Sequence, residues 1–311
     1  MNTLLLLFQM LMLFSMMAAG YAAFRLKIFD SVGQHQISKI VVNVLNPCLM
    51  ISAIAGDRPA DSGMLTLQNF LAALAFYTYF ILASFVFFVL RGRIGNKDRQ
   101  ELTLEQLMMF LSNIGFFGIP VIKAMFGDEY VIYLVFYMLL FNVVAYTLGI
   151  FLVSRIDGGS AGFSPKSVIN TGTVISIIAI ALYLAGVPVP ETAGSFFTYM
   201  GNACIPLSML LIGGSLAQLD LKTVFTDKNI YAYILLRNII VPGIGILILH
   251  MLPFDTVIVK ICCLSASMPI AALTGMLAEQ YAHKGNYCNK MIAMSTVLSV
   301  LTVPLLSLLY L

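Results

Sequence analysis

Ten stretches of this chain, each about 20 residues long and nearly free of charge, follow one another with only short polar gaps. They fall at 3–23, 35–55, 66–90, 104–126, 130–154, 166–186, 194–218, 229–251, 256–279 and 288–310. A helix needs about 20 mostly apolar residues to cross the hydrocarbon of a bilayer. The chain is 60% hydrophobic and 10% charged, with a mean hydropathy of +0.96. A soluble fold sits nearer half apolar and a quarter charged, so lipid must be the solvent for much of this surface. The apolar runs are continuous rather than alternating, which excludes the strands of a membrane barrel. The expected class is an all-α integral membrane protein of about ten transmembrane helices.

The placement of the cations orients those helices. With the N-terminus outside, the loops after spans 1, 3, 5, 7 and 9 face the cytoplasm. They hold Arg25, Lys27, Arg91, Arg93, Lys97, Arg99, Arg155, Lys166, Lys222, Lys228 and Lys284, against Arg58 alone in the outer loops. A bias of eleven to one puts both termini outside and the chain in the cytoplasmic membrane. Residues 3–23 lack a cationic leader segment, and no charged mature domain follows, so they read as a retained first helix. The five cysteines (Cys48, Cys204, Cys262, Cys263 and Cys288) lie in or beside apolar spans without ligand partners. They argue against a disulfide frame or a metal site, and no cofactor is implied. Nothing suggests a nucleic-acid partner; the lipid bilayer is the expected one.

The chain divides near its middle. Residues 1–155 carry five spans, 156–165 form a short cytoplasmic linker containing Gly158-Gly159-Ser160, and 166–311 carry five more. Five is odd, so two similar halves must enter the membrane from opposite faces. Span 2 has Asn43 and Asn46-Pro47, and span 7 has Asn202 and Pro206, with an Asn four residues before a Pro in each. Span 4 has Pro120 after Ser112, Asn113, Gly115 and Gly118, and span 9 has Pro269 after Ser265 and Ser267. A proline removes a backbone donor and clashes with the preceding turn. Groups freed in this way inside a membrane must face protein or a wet cavity. Inverted repeats with interruptions at matching positions point to a transporter's binding site. Pro242 and Pro304 read instead as plain kinks.

The stretches NVLNPCLMISAIAG, LSNIGFFGIPVIKAMFG, NACIPLSMLLIGGSLA, LRNIIVPGIGILIL and SASMPIAALTGMLAEQYA, spread over residues 43 to 282, resemble the auxin efflux carrier family. That family includes the plant PIN-type carriers and short bacterial malate- or malonate-permease-type members. The resemblance implies a fold related to bile-acid/sodium symporters, with five-plus-five inverted repeats. It implies that spans 4 and 9 are broken at their prolines and cross mid-membrane with substrate near the crossing. Spans 1, 2, 6 and 7 would form a scaffold that dimerises, and 3–5 with 8–10 a moving transport unit. The matched site positions are Asn113, Pro120, Pro269, Asn46, Pro47, Asn202 and Pro206. The long hydrophilic loop of many plant members is missing, which makes auxin a poor candidate substrate.

The residues themselves point toward an organic anion, a mono- or dicarboxylate. Each half-helix N-terminus carries roughly half a positive charge and unpaired N–H donors, so two such ends aimed at one cavity would hold a carboxylate. Gly115, Gly118, Ser265 and Ser267 would keep the approach open, Asn113 would donate from the wall, and Asn46 and Asn202 would line the scaffold side. Arg237 near the middle of span 8 has three readings: a snorkelling cation, a structural pair with a carbonyl, or a guanidinium that attracts the substrate. Lys123 and Lys260 read as snorkelling to the outer interface. Glu279 reads as a solvated helix end or a coupling group, and no acid sits mid-membrane beside either proline. Catalytic motifs of the G-x-S-x-G or H-E-x-x-H kind are absent, so an enzyme is not expected. A channel, a membrane sensor and a sodium-coupled carrier are the rival readings, with a neutral or cationic substrate as the alternative cargo.

Overall fold

The computed structural model describes residues 3–55, 62–94, 98–156, 168–219, 226 and 228–310. Among them the chain is helical, with no strand beyond one isolated bridge. Six helices are long and apolar enough to cross a membrane: Leu4–Arg25, Gly63–Arg93, Asp128–Ser154, Glu191–Ala217, Asn229–Leu249 and Gly285–Ser307. The other expected spans are shorter, interrupted or more polar. The second, Ser31–Ser52, carries His35, Gln36, Lys39, Asn43 and Asn46, and the sixth is the 14-residue helix Thr171–Leu184. The fourth and ninth are each split in two. The linker at 156–165 and the cations Arg58, Lys97, Lys166 and Lys222 lie wholly or mostly outside the described residues.

In chain order the α-helical segments are α1 (Thr3–Arg25), α2 (Ser31–Ile40), α3 (Asn46–Ser52), α4 (Ser62–Ile94), α5 (Arg99–Phe110), α6 (Ile119–Phe126), α7 (Val131–Val144) and α8 (Ile150–Ser154). There follow α9 (Thr171–Leu184), α10 (Glu191–Asn202), α11 (Cys204–Ala217), α12 (Lys228–Leu235), α13 (Val241–Leu249), α14 (Thr256–Ser267), α15 (Leu273–Ala282) and α16 (Gly285–Ser307). Wider π turns lead directly into four of the segments, α3, α6, α8 and α13, at Val41–Leu45, Ile114–Gly118, Ala145–Gly149 and Leu236–Ile240. Three of these turns stand two residues before a proline: Pro47, Pro120 and Pro242. The proline ring would collide with the carbonyl four residues back. One extra residue in the preceding turn relieves that clash, and the proline then occupies the first turn of the next segment, where its missing N–H has no partner to lose. Pro242 therefore marks a π turn rather than a plain kink.

Packing gathers the chain into two compact units that interleave along the sequence. The first holds residues 1–70, 114–139 and 169–221; the second holds 71–113, 140–168 and 222–311. In the first unit α1 lies along α11, and α3 packs between α9 and α10. The α1–α11 approach depends on glycine. A Cβ on Gly213 would overlap Met17 O, and one on Gly20 would overlap Leu210 O. Small residues at such a crossing let two backbones approach where lipid supplies no hydrophobic force between helices. In the second unit α14 and α15 pack against α16, and α5 packs against α8 and α15. Its buried core includes Phe80, Leu107, Phe110, Leu264 and Met294.

Candidate functional site

Helix α5 ends at Phe110, and Leu111 turns extended with φ −99° and ψ 97°. Helix α14 ends at Ser267, and Met268 does the same with φ −65° and ψ 147°. The two extended pieces meet in antiparallel fashion with Ser112 opposite Ile270. The Asn113 N–H donates to Pro269 O at 2.7 Å, and the Ala271 N–H donates to Leu111 O at 2.9 Å. Each break thus satisfies backbone groups of the other, as burial away from water demands. The ninth span breaks at Pro269, as its sequence suggests. The fourth breaks at 111–113, ahead of Pro120, because the π turn at Ile114–Gly118 absorbs that proline within a continuing helix.

Arg237 holds the crossing. It is 0% exposed, and its Nε donates to Met108 O at 3.2 Å, its Nη1 to Met268 O at 3.2 Å and its Nη2 to Ser112 Oγ at 2.6 Å. The guanidinium also lies 5.7 Å from the centre of the Phe80 ring. Met108 O belongs to the last turn of α5, where carbonyls lack partners inside the helix. Met268 O stands just past the end of α14. One guanidinium therefore closes the C-terminal ends of two half-helices, each carrying roughly half a negative charge. Of the readings open for Arg237, the geometry is that of a pair with carbonyls. Beside it, Ser295 on α16 accepts from the Ile270 N–H at 3.0 Å and donates to Asn238 Oδ1 at 2.9 Å, while Asn238 Nδ2 donates to Ser295 O at 3.1 Å.

The expected site residues separate into groups. Asn113, Pro269 and Arg237 come together at the crossing. The Asn113 side chain is buried there with no hydrogen-bond partner among the described residues. Ser265 and Ser267 lie at the end of α14, with hydroxyls donating back to Ile261 O at 2.8 Å and Cys263 O at 2.9 Å. Gly115, Gly118 and Pro120 belong to the first unit, where Gly115 packs near Met138 and Gly118 near Ile114 and Leu134. Asn46 and Pro47 stand at the start of α3, with Asn46 Oδ1 enclosed and without a partner among the described residues. Pro206 lies in the first turn of α11 and is half-buried.

Asn202 lines a cavity of about 470 Å³ in the first unit, together with Ser52, Lys123, Asp128, Glu191 and Thr198 among others. Lys123 Nζ lies 3.0 Å from Asp128 Oδ1 and donates to Asn202 Oδ1 at 3.4 Å. Two acids against one lysine that is already paired give this cavity a negative wall, a poor seat for an anion. Four residues of the crossing escape sequence reasoning as site residues: Ser112, Met108, Asn238 and Ser295. Ser112, in the polar cluster ahead of Pro120, and Asn238, polar and next to an intramembrane arginine, carried a visible signal; Met108 and Ser295 did not. Glu105 was missed as well. It lies one residue inside the expected span 104–126 and is 1% exposed. Tyr287 Oη donates to Glu105 Oε1 at 3.0 Å, and Tyr233 Oη donates to Glu105 O at 2.7 Å.

Comparison with known proteins agrees with these features. The model of a family described as membrane transport protein matches residues 5–162 and 159–307. An uncharacterised transporter of Methanothermobacter thermautotrophicus is 26% identical over 287 residues, 91% of this chain and 92% of that protein. An uncharacterised transporter of Saccharomyces cerevisiae is 41% identical over 64 residues, 20% of this chain and 11% of the yeast protein. Long apolar helices, two interrupted spans and a family match along nearly the whole chain lead to one conclusion: the protein belongs to the membrane transport protein family of the auxin efflux carriers.

Proposed function

We propose that this transporter is a carrier that moves a small organic anion, a mono- or dicarboxylate, across the membrane by alternating access, and holds it where the fourth and ninth spans break. The observation that carries the reading is the distribution of charge about the crossing. Arg237 occupies the negative C-terminal ends of α5 and α14. The positive N-terminal end of α15 begins on the far side of the break in the ninth span. Donors at helix N-termini bind carboxylates without an added lysine, and the buried Asn113 amide supplies one more. Arg237 then acts through its field and by fixing the breaks, rather than by touching the anion.

The division of the chain supports alternating access. The first unit gathers the expected scaffold spans 1, 2, 6 and 7 together with residues 114–139 of spans 4 and 5, and the second gathers nearly all of spans 3, 8, 9 and 10 with the rest of spans 4 and 5. The boundary within span 4 falls between Asn113 and Ile114, at the break itself. In this reading the full complement is ten spans in two inverted repeats. A second copy docks on the scaffold through faces such as Leu4, Phe8 and Phe196, which are exposed in the monomer. Uptake of labelled mono- and dicarboxylates into proteoliposomes tests the cargo. Saturable uptake of at least one carboxylate, with exchange against unlabelled carboxylate inside, is the expected result. Near-diffusive ion current without saturation identifies a channel and refutes the reading.

A further inference from the structure

The cavity of about 470 Å³ in the first unit has two walls of different build. One is α3 against α10, drawn together by glycine. A Cβ on Gly201 would come within 2.7 Å of Leu49 Cα, and one on Gly194 within 3.1 Å of Ala55 Cβ. Such a close seam makes these two helices one piece. The other wall is α6 with the turn Asp128–Tyr130 that follows it. Helix α6 packs along α1 but shares no broad face with α3 or α10. Among the described residues a single side-chain hydrogen bond joins it to α10, from Lys123 Nζ to Asn202 Oδ1 at 3.4 Å. The same ammonium lies 3.0 Å from Asp128 Oδ1, on its own wall. Both ends of α6 are places where the backbone can turn. The π turn Ile114–Gly118 leads into it, and Gly127 ends it with φ 108° and ψ 168°. That conformation suits glycine, and a Cβ on Gly127 would overlap the Glu129 carboxylate.

We infer that Lys123 is the latch of a gate. Helix α6 shifts between its two turning points to widen or narrow the cavity, and the bond from Lys123 to Asn202 holds the narrow position. The inference rests on the carrier reading, in which each face of the membrane needs a gate, and not on the cargo being a carboxylate. Ala55, Asp128 and Val189 of the cavity flank the loops after spans 2, 4 and 6, so the gate serves one face. Hinged gates of this kind turn on a few residues at the ends of an element. A latch must also be weak enough to open in every cycle. The Lys123 and Asp128 side chains are 33% and 64% exposed, surroundings in which an ion pair contributes little. The bond across the cavity is long for a hydrogen bond to oxygen. Asp128 does not bridge the walls; it holds the ammonium in reach of Asn202.

The test measures how fast a charged maleimide labels Thr198→Cys, on the α10 wall, in the full-length purified protein. The background is the parent protein, whose five cysteines are buried. Lys123→Met removes the latch and should speed labelling about fivefold, the upper end for an exposed pair. Lys123→Arg still reaches Asn202 and should label near the rate of the unlatched variant's parent. Asn202→Asp gives the ammonium a charged partner across the cavity and should slow labelling by a similar factor. Structural damage would speed labelling in every variant, whereas opposite shifts for Lys123→Met and Asn202→Asp belong to a latch. Equal rates in all variants, or faster labelling in both of those two, overturn the inference. Labelling needs no substrate, so the two readings fail separately. Opposite shifts in a protein whose uptake does not saturate leave the latch standing and refute the carrier.

Discussion

Arg237 sits where a charge is hardest to keep, in the interior of a membrane protein and without contact with water. It is tolerated there because three of its donors meet partners that need it: two carbonyls beyond the reach of their own helices and one hydroxyl. Removing one partner from a buried polar contact leaves the other unsatisfied, at about 1–3 kcal/mol for each group. A lysine keeps the charge but replaces the rigid fork with a single ammonium. Arg237→Lys should therefore cost about 2 kcal/mol or more and lower the melting temperature in detergent clearly. Ser295→Ala strands the Ile270 N–H and should cost about 1–2 kcal/mol by the same measurement. A melting temperature unchanged in both variants contradicts the account of how the breaks are held.

At the level of elements, the expected spans and the observed helices agree where apolar runs are long, as at residues 3–25 and 285–307. They part where backbone detail decides. Pro269 disclosed the ninth break because no wider turn precedes it. Pro120 misplaced the fourth, since the π turn before it relieves the clash and moves the interruption to Leu111–Asn113. Ser112 and Asn238 stand out as polar residues within apolar spans, but their partners lie 57 residues or more away, so no local pattern gives their roles, and Ser295 carries no such signal. Glu105 drew no reading at all, because a span read from sequence is blind to which neighbours cover its end. Helix packing yields its own prediction. Gly213→Leu forces α1 from α11, since even a Cβ overlaps Met17 O, and overpacking of this kind costs about 1–3 kcal/mol or more. Gly63→Ala, with open space around its added Cβ, should leave the melting temperature within a degree or two of the wild type. Equal effects of the two substitutions contradict the close α1–α11 approach.

For the whole molecule, eleven cations against one argue that both termini lie outside. A reporter active only in the cytoplasm, fused after Leu311, should stay silent, and the same reporter placed in the 91–103 loop should be active; the reverse pattern refutes the orientation. In the proposed reading, the crossing of the two breaks binds a carboxylate through the N-terminal end of α15 and the Asn113 amide. Carboxylate uptake in proteoliposomes by Asn113→Ala, beside a lipid-facing Phe85→Leu control, tests that binding. Losing a hydrogen bond to a charged ligand costs about 1.5–3 kcal/mol. Asn113→Ala should therefore raise the KM for the carried carboxylate at least tenfold, with Phe85→Leu at the wild-type value. An Asn113→Ala carrier with unchanged KM and rate would place the substrate elsewhere.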